Sequence, residues 1–226
     1  MLVIGHRGAK DEWPENTLLG IQKAIDCGVD GIEIDVRQSK DGQLIVLHDD
    51  TLDRTTNLNG KVEDLTLAEI RKADAGMGEK IPTLEEVLQL TIKNNVHLFI
   101  ESKVLGVESE LLSIMDKLDA YEHCTVICFN HYLIRSLNDR SSNLNTGCLL
   151  VGTPLDPTKI VKDAGADLLA LNIFTMDKRL VDQCEKDNIK VAVWNANTTE
   201  DVDLMKSLGV YGVMTDLPTT IVPLIK

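Results

Sequence analysis

Short apolar runs rich in Val, Ile and Leu alternate along the chain with longer stretches in which apolar residues recur at helical spacing. The runs suit strands buried on both faces and the stretches suit amphipathic helices that cover them, so the alternation predicts repeated βα units around a parallel sheet. Strands are predicted at 2–4, 31–36, 98–102, 125–129, 146–151, 168–171, 191–194 and 212–214, which makes eight. Helices are predicted between most of them, at 18–27, 84–94, 108–118, 131–139, 157–164, 178–187 and 200–208. Gly28, Gly165 and Gly209 follow three of these as stop signals. Eight strands with intervening helices favour an α/β fold of the closed (β/α)8 TIM-barrel type over an open doubly wound sheet.

One run breaks the rhythm. Residues 43–48 follow the second strand after only Ser39-Lys40-Asp41-Gly42, and Asp-Gly is a hairpin turn signal. A two-residue turn at Asp41 and Gly42 sets Lys40 against Gln43 and Asp35 against His48, with Glu33, Asp35 and His48 on one face. The stretch 49–82 that follows holds a short helical pattern at 67–72 and glycines at Gly60, Gly76 and Gly78. A connection this long inside one domain predicts a small insertion that caps the barrel mouth.

The 226 residues, 43% hydrophobic and 26% charged, suffice for one such barrel and leave little room for a second core, so a single domain is expected. A formal net charge of -13 with no cluster of Lys and Arg excludes broad nucleic-acid binding; any phosphate must be met locally. The opening Met1-Leu2-Val3-Ile4-Gly5-His6 is no basic segment leading into a long apolar stretch, and no run could span a membrane. A cytoplasmic protein is therefore expected. The five cysteines, Cys27, Cys124, Cys128, Cys148 and Cys184, form no Cys-x-x-Cys pair and lie in apolar runs, which predicts reduced, buried thiols. Nothing in the pattern fixes an oligomeric state.

Barrel enzymes place reactive groups where strands end, and polar residues end the apolar runs here repeatedly. Glu33, Asp35 and Glu101 are carboxylates on neighbouring strands, Glu33 and Asp35 inside the apolar Ile32-Glu33-Ile34-Asp35-Val36. Three like charges on one rim are costly without a cation, and oxygen-only ligands favour one divalent ion, Mg2+ or Ca2+. His6 and His48, at the ends of the first strand and of the hairpin, can serve as general base and general acid. His97, His123 and His131 read as structural or surface residues. Arg7 and Lys103 are the candidate phosphate partners, one a planar bidentate donor and the other a point charge. Asn16 and Thr17 are good N-caps, and capping is the first reading of both, while Glu15, which can orient Arg7 across the loop, and Asn16 are also candidates to support or border the pocket. Trp194 can wall the pocket or simply pack in the core.

Together His6-Arg7-Gly8, Glu15-Asn16-Thr17, Glu33-x-Asp35, His48-Asp49, Glu101-x-Lys103, Val193-Trp194 and Thr215-Asp216-x-Pro218 run in order over nearly the whole chain. This set resembles the glycerophosphodiester phosphodiesterase family. The resemblance implies hydrolysis of a small-molecule glycerophosphodiester to sn-glycerol 3-phosphate and an alcohol. Under it Glu33, Asp35 and Glu101 match metal ligands, His6 and His48 the acid/base pair, and Arg7 and Lys103 phosphate contacts. Many members carry Ser-Phe where this chain has Cys128-Phe129-Asn130, a departure beside the pocket. Two routes stay open: direct attack by water, or attack by the glycerol hydroxyl through a cyclic phosphate. One rival reading is a barrel phospholipase acting on lysophospholipids, which an exposed apolar rim would favour. The 49–82 stretch has no aromatic residue, so soluble, deacylated substrates are expected. The other rival is a barrel that binds a phosphate ligand without turnover, against which the His pair speaks.

Overall fold

All eight predicted strands form, and they close into a ring. The computed structural model describes residues 1–226. Its strands are β1 (Leu2–His6), β2 (Gly31–Gln38), β3 (Leu44–Val46), β4 (His97–Ser102), β5 (Cys124–Cys128), β6 (Asn145–Leu150), β7 (Leu168–Asn172), β8 (Lys190–Trp194) and β9 (Gly212–Thr215). Their order is β1-β9-β8-β7-β6-β5-β4-β2, and a further β1–β2 pairing shuts the barrel, so no parallel strand is left with a free edge. The third strand stands outside the ring as the antiparallel partner of β2.

Helices cover the outside: α1 (Leu18–Asp26), α3 (Leu84–Lys93), α4 (Glu108–Leu118), α5 (His131–Arg140), α6 (Pro157–Ala164), α7 (Lys178–Lys186), α8 (Thr199–Leu208) and α9 (Pro218–Ile225), while the short α2 (Leu67–Ile70) lies in the 49–82 segment. Their starts are written locally. Thr83 with Glu86 and Thr198 with Asp201 form capping boxes, and Asp156 caps a helix whose first residue is Pro157. The ninth helix was not expected, because Thr219, Thr220, Ile221, Val222 and Pro223 all disfavour a helix. Burial of Ile221 and Val222 overrides that propensity.

The alternation of side chains along each strand sorts the core into two parts. Ile32, Ile34 and Val36 point to the helix layer and join the large outer core, with Leu98 and Ile100 beside them. The barrel interior is filled by Ile4, Phe99, Ile127, Leu149, Leu168, Ala170, Ala192 and Met214. Glu33 and Asp35 alternate with the outward residues of β2 and so take positions where the other strands supply apolar ones. Register fixes their neighbours: His6 lies opposite Glu33, and Asp35 opposite Glu101.

The hairpin differs from its sequence reading by one residue. Val36 pairs with Val46, Arg37 with Ile45 and Gln38 with Leu44, and the Ser39 amide donates to Gln43 O at 2.9 Å. The loop therefore holds three residues, Lys40, Asp41 and Gly42, with Gly42 at φ +79 in the left-handed position such loops need. Asp35 thus faces Leu47, whose amide donates to its carbonyl, not His48. The strand ends at Val46, so His48 is placed by the chain beyond it and still reaches the cavity described below.

Residues 49–82 build a satellite core of Leu52, Val62, Ile70, Ala73, Ala75 and Ile81 against Ile45 and Leu47 of the hairpin. All five cysteines are unpaired; four are buried as expected, but Cys27, at the end of α1, is partly exposed. No helix is long and apolar enough to cross a membrane.

Candidate active site

Glu33, Asp35 and Glu101 meet at one point of the barrel rim. They are 2%, 1% and 8% exposed, and each offers an oxygen within 4.8 Å of the others. Oxygens bound to Ca2+ lie about 2.3–2.6 Å from it, hence up to about 5.2 Å apart, and those bound to Mg2+ about 2.0–2.1 Å, hence up to about 4.2 Å, so the spacing fits the larger ion as it stands and the smaller one on a small inward shift. Asp35 Oδ1 is buried without a hydrogen bond, although Lys103 Nζ stands 3.1 Å away off hydrogen-bonding geometry. The protonation pattern agrees. Burial pushes the Glu33 carboxyl well above the usual range, and Asp35 and Glu101 push it further. Burial also raises Glu101, whereas at Asp35 the Lys103 and Arg7 cations outweigh burial and hold the carboxyl below its ordinary value. Acidic oxygens this crowded suit a hard divalent cation and no softer ion.

Two imidazoles flank this cluster, each with an aspartate on Nδ1. The His6 ring Nδ1 lies 2.5 Å from Asp216 Oδ1, and the His48 ring Nδ1 lies 2.6 Å from Asp49 Oδ1. With Nδ1–H donated to a carboxylate, the free tautomer carries its lone pair on Nε2, and His6 Nε2 stands 3.8 Å from Glu33. Burial pushes the His48 imidazole below its ordinary value, against the pull of Asp49 and Asp35. Asp216 is itself held by Asn195 Nδ2 at 2.8 Å and Asn197 Nδ2 at 2.7 Å.

Burial raises the Asp216 carboxyl, but hydrogen bonds and charge from His6, Asn197 and Asn195 outweigh it and leave it well below 3.8. The folded protein therefore binds this proton more weakly than the unfolded chain does. Its stabilisation is full above the unfolded value and is lost as pH falls through the folded one. Asp216→Asn should remove part of that dependence, so the variant's Tm falls less steeply than wild type below pH 4. The same change lets the His6 ring adopt the wrong tautomer and should lower kcat about a hundredfold or more. Thermal melts and initial rates across pH check both.

Arg7 follows His6 in a left-handed turn (φ 52), continued by Gly8 (φ 83), where a Cβ would come within 2.8 Å of the Gly20 backbone in α1. Arg7 Nη1 donates to Glu15 Oε1 at 2.9 Å, and its Nε stands 3.1 Å from Asp35 Oδ2. Lys103 contacts both Glu101 and Asp35. Of the two cap candidates Thr17 alone caps α1, accepting from Gly20 N, while Asn16 Nδ2 donates to Asp35 Oδ2 at 2.9 Å. Sequence reasoning passed over Arg54. Its guanidinium donates to Glu15 at 2.8 Å through both Nη1 and Nη2, and to Asp49 at 2.6 Å through Nε. One side chain thus joins the partner of Arg7 to the partner of His48, and its hydrogen bonds hold Asp49 well below the carboxylate range. Arg54→Ala should lower kcat about tenfold, the equivalent of one charged hydrogen bond, with metal affinity unchanged. Lys should restore little, because one ammonium cannot span both carboxylates.

These groups open into a cavity of about 180 Å³ lined by His6, Arg7, Glu33, His48, Glu101 and Lys103 on one side. The other side is apolar: Ile127, Leu149 and Met214, with Phe129 and Trp194 set edge to face at 6.0 Å between ring centroids. Trp194 therefore lines the pocket. His97 sits on Thr125, and its Nε2 lies 2.8 Å from the hydroxyl; His131 Nε2 lies 2.9 Å from Leu149 O, and neither lines this cavity.

Residues 6–220 match the model of the Glycerophosphoryl diester phosphodiesterase family. A protein of Caldanaerobacter subterraneus subsp. tengcongensis named glycerophosphodiester phosphodiesterase is 37% identical over 237 residues, covering 100% of this chain and 98% of that one. The chain belongs to the glycerophosphoryl diester phosphodiesterase family. As a member it is a phosphoric diester hydrolase, on the barrel that solved phosphodiesterases share. The structure of an Oleispira antarctica phosphodiesterase in complex with the product sn-glycerol-3-phosphate is similar at a TM-score of 0.91 and 26% identity, over 100% of this chain and 96% of that chain. A glycerophosphodiester phosphodiesterase from Thermotoga maritima gives 0.84 and 27%, over 99% and 98%. The departure at Cys128 from the Ser-Phe of many glycerophosphodiester phosphodiesterases lies behind the wall: Cys128 is 3% exposed, its thiol on Ser102 O, and Phe129 is the residue that lines the cavity.

Proposed function

We propose that the protein hydrolyses glycerophosphodiesters to sn-glycerol 3-phosphate and an alcohol, with His6 and His48 as the acid/base pair. One observation carries this reading: two imidazoles, each with Nδ1 on an aspartate, line one small cavity with Glu33 and Glu101, two of the three clustered buried carboxylates. Glu33, Asp35 and Glu101 would hold one Mg2+ or Ca2+, which when bound supplies positive charge against the phosphoryl oxygens. Arg7 and Lys103 add positive charge on the same side, and the donors their carboxylate partners leave free can reach a phosphate. One imidazole, its Nε2 lone pair free, takes the proton of the attacking oxygen as the other, entering the reaction as the imidazolium, gives its Nε2 proton to the departing alcohol oxygen. The lowered His48 imidazole suits the accepting role. Glu15, Asn16 and Asp216 act by positioning Arg7, Asp35 and His6 respectively.

Residues 49–82 act as a cap in this scheme, a role supported by Arg54, which ties the segment to Glu15 at the rim. The unpaired cysteines and the charge of -13 favour a cytoplasmic enzyme of soluble substrates, without nucleic-acid partners. Turnover of glycerophosphocholine and glycerophosphoethanolamine with Mg2+, Ca2+ or EDTA tests the reading. Metal-dependent release of sn-glycerol 3-phosphate is expected, and hydrolysis of neither diester would overturn it. Trapping a cyclic glycerol phosphate during turnover would support attack by the glycerol hydroxyl; its absence at every time point would weaken that route.

A further inference from the structure

Arg7, Lys103 and Arg54 each stand against two carboxylates, so their charge is matched within the protein. Arg37 is different. No carboxylate lies within 4.0 Å of it, and its guanidinium makes one hydrogen bond, from Nε to the His48 carbonyl at 2.8 Å. Its two Nη atoms bond to no protein group and are not enclosed. Strand alternation puts Arg37 on the same face of β2 as Glu33 and Asp35, nearer the strand's C-terminal end. In the pairing of β2 with β4, Asp35 lies opposite Glu101 and Val36 opposite Ser102, and the Lys103 amide donates to Val36 O at 3.0 Å. One step further along the register brings Arg37 beside Lys103, on the same face and a layer outward from the Asp35–Glu101 pair. Its bond to His48, which lines the cavity, sets it at the cavity's outer edge.

A cavity of about 180 Å³ is smaller than the roughly 300–1,000 Å³ that encloses a drug-sized ligand, so the phosphate and its nearest atoms fill it. The far end of the departing alcohol lies outside, in the layer where Arg37 stands. We propose that Arg37 is a specificity residue whose free Nη donors take a second anionic group, carboxylate or phosphate, carried by the departing alcohol; this rests on the phosphodiesterase reading of the same site. With Nε tied to a carbonyl, the planar guanidinium presents its two Nη donors as a fork of fixed direction, which the paired oxygens of a carboxylate or phosphate match. Charge points the same way. A chain of net charge -13 repels a substrate that carries additional negative charge, so such a substrate gains from the one guanidinium at the site that no acid has neutralised. A neutral or cationic alcohol gains nothing from it.

The test uses two matched pairs of diesters, each assayed with Mg2+ or Ca2+ present. Glycerophosphoserine adds one carboxylate to glycerophosphoethanolamine, and the terminal phosphate ester of glycerophosphoglycerol adds one phosphate to its parent. In at least one pair the anionic member is expected to show a kcat/KM about tenfold above its partner, the worth of one charged hydrogen bond at a partly exposed site. Arg37→Met should bring that ratio to about one, chiefly by raising KM for the anionic member. Arg37→Lys, which keeps the charge but not the fork, should retain part of the preference. Loss of the bond to His48 O slows both members of a pair alike, so an Arg37 that only holds the chain would lower the rates and leave the ratio unchanged. That result, or equal kcat/KM within both pairs of the wild type, overturns the subsite and leaves the phosphodiesterase reading standing. A preference confined to one pair and lost in Arg37→Met supports the subsite and names its anion. Cleavage of none of the four diesters overturns both readings.

Discussion

Replacing His6 or His48 with alanine is expected to lower kcat by about a hundred- to ten-thousand-fold, the range for loss of a general acid or base. The fold should survive, because the Asp216 carboxylate keeps Asn195 and Asn197 and the Asp49 carboxylate keeps Arg54. Metal affinity should also survive, since neither imidazole is among the three clustered acids. The two losses should not multiply in the double variant, because proton removal and proton delivery serve one transfer. Initial rates, circular dichroism and a metal titration on the same preparations check this. Undiminished turnover in either variant would remove that histidine from the mechanism.

The second large effect is removal of the divalent ion. Chelation should abolish turnover and lower Tm, and restored Mg2+ or Ca2+ at a hundred times its Kd should stabilise the fold by about 2.7 kcal/mol, about 5–10 °C for a chain of this size. Glu33→Gln should have opposite signs in the two states. In the metal-free protein it removes a buried acid beside Asp35 and Glu101, so Tm should rise; with saturating metal it removes a ligand, so Tm should fall. The sign with pH agrees. Glu33 binds its proton more tightly folded than unfolded, so it destabilises the metal-free fold above the ordinary value of 4.5, and the effect disappears as pH falls below it. Calorimetry with and without EDTA separates these outcomes, and equal shifts of wild type and variant would contradict the ligand assignment.

Much of this site could be read from the chain because strand alternation and strand ends are local. Glu33 and Asp35 betray themselves as acids within an apolar strand, and the pairing of β2 with β4 brings Glu101 beside Asp35. What was missed depends on register or distance. The hairpin reading assumed a two-residue loop, and one residue more moved His48 off Asp35, although the chain beyond β3 restores it to the cavity. Asn16 looked like a cap because Asn caps helices well; only the approach of β2 shows that it holds Asp35. Asp216 lies 210 positions from His6, yet β9 pairs with β1, and one step past the Gly5–Thr215 pair puts the two side by side.

The most direct test of the site is a crystal structure grown with Mn2+ and sn-glycerol 3-phosphate. An anomalous peak bound by Glu33, Asp35 and Glu101, with the phosphate within hydrogen-bonding reach of both imidazole Nε2 atoms, is the expected result. A peak elsewhere, or a phosphate bound away from both histidines, would contradict the account.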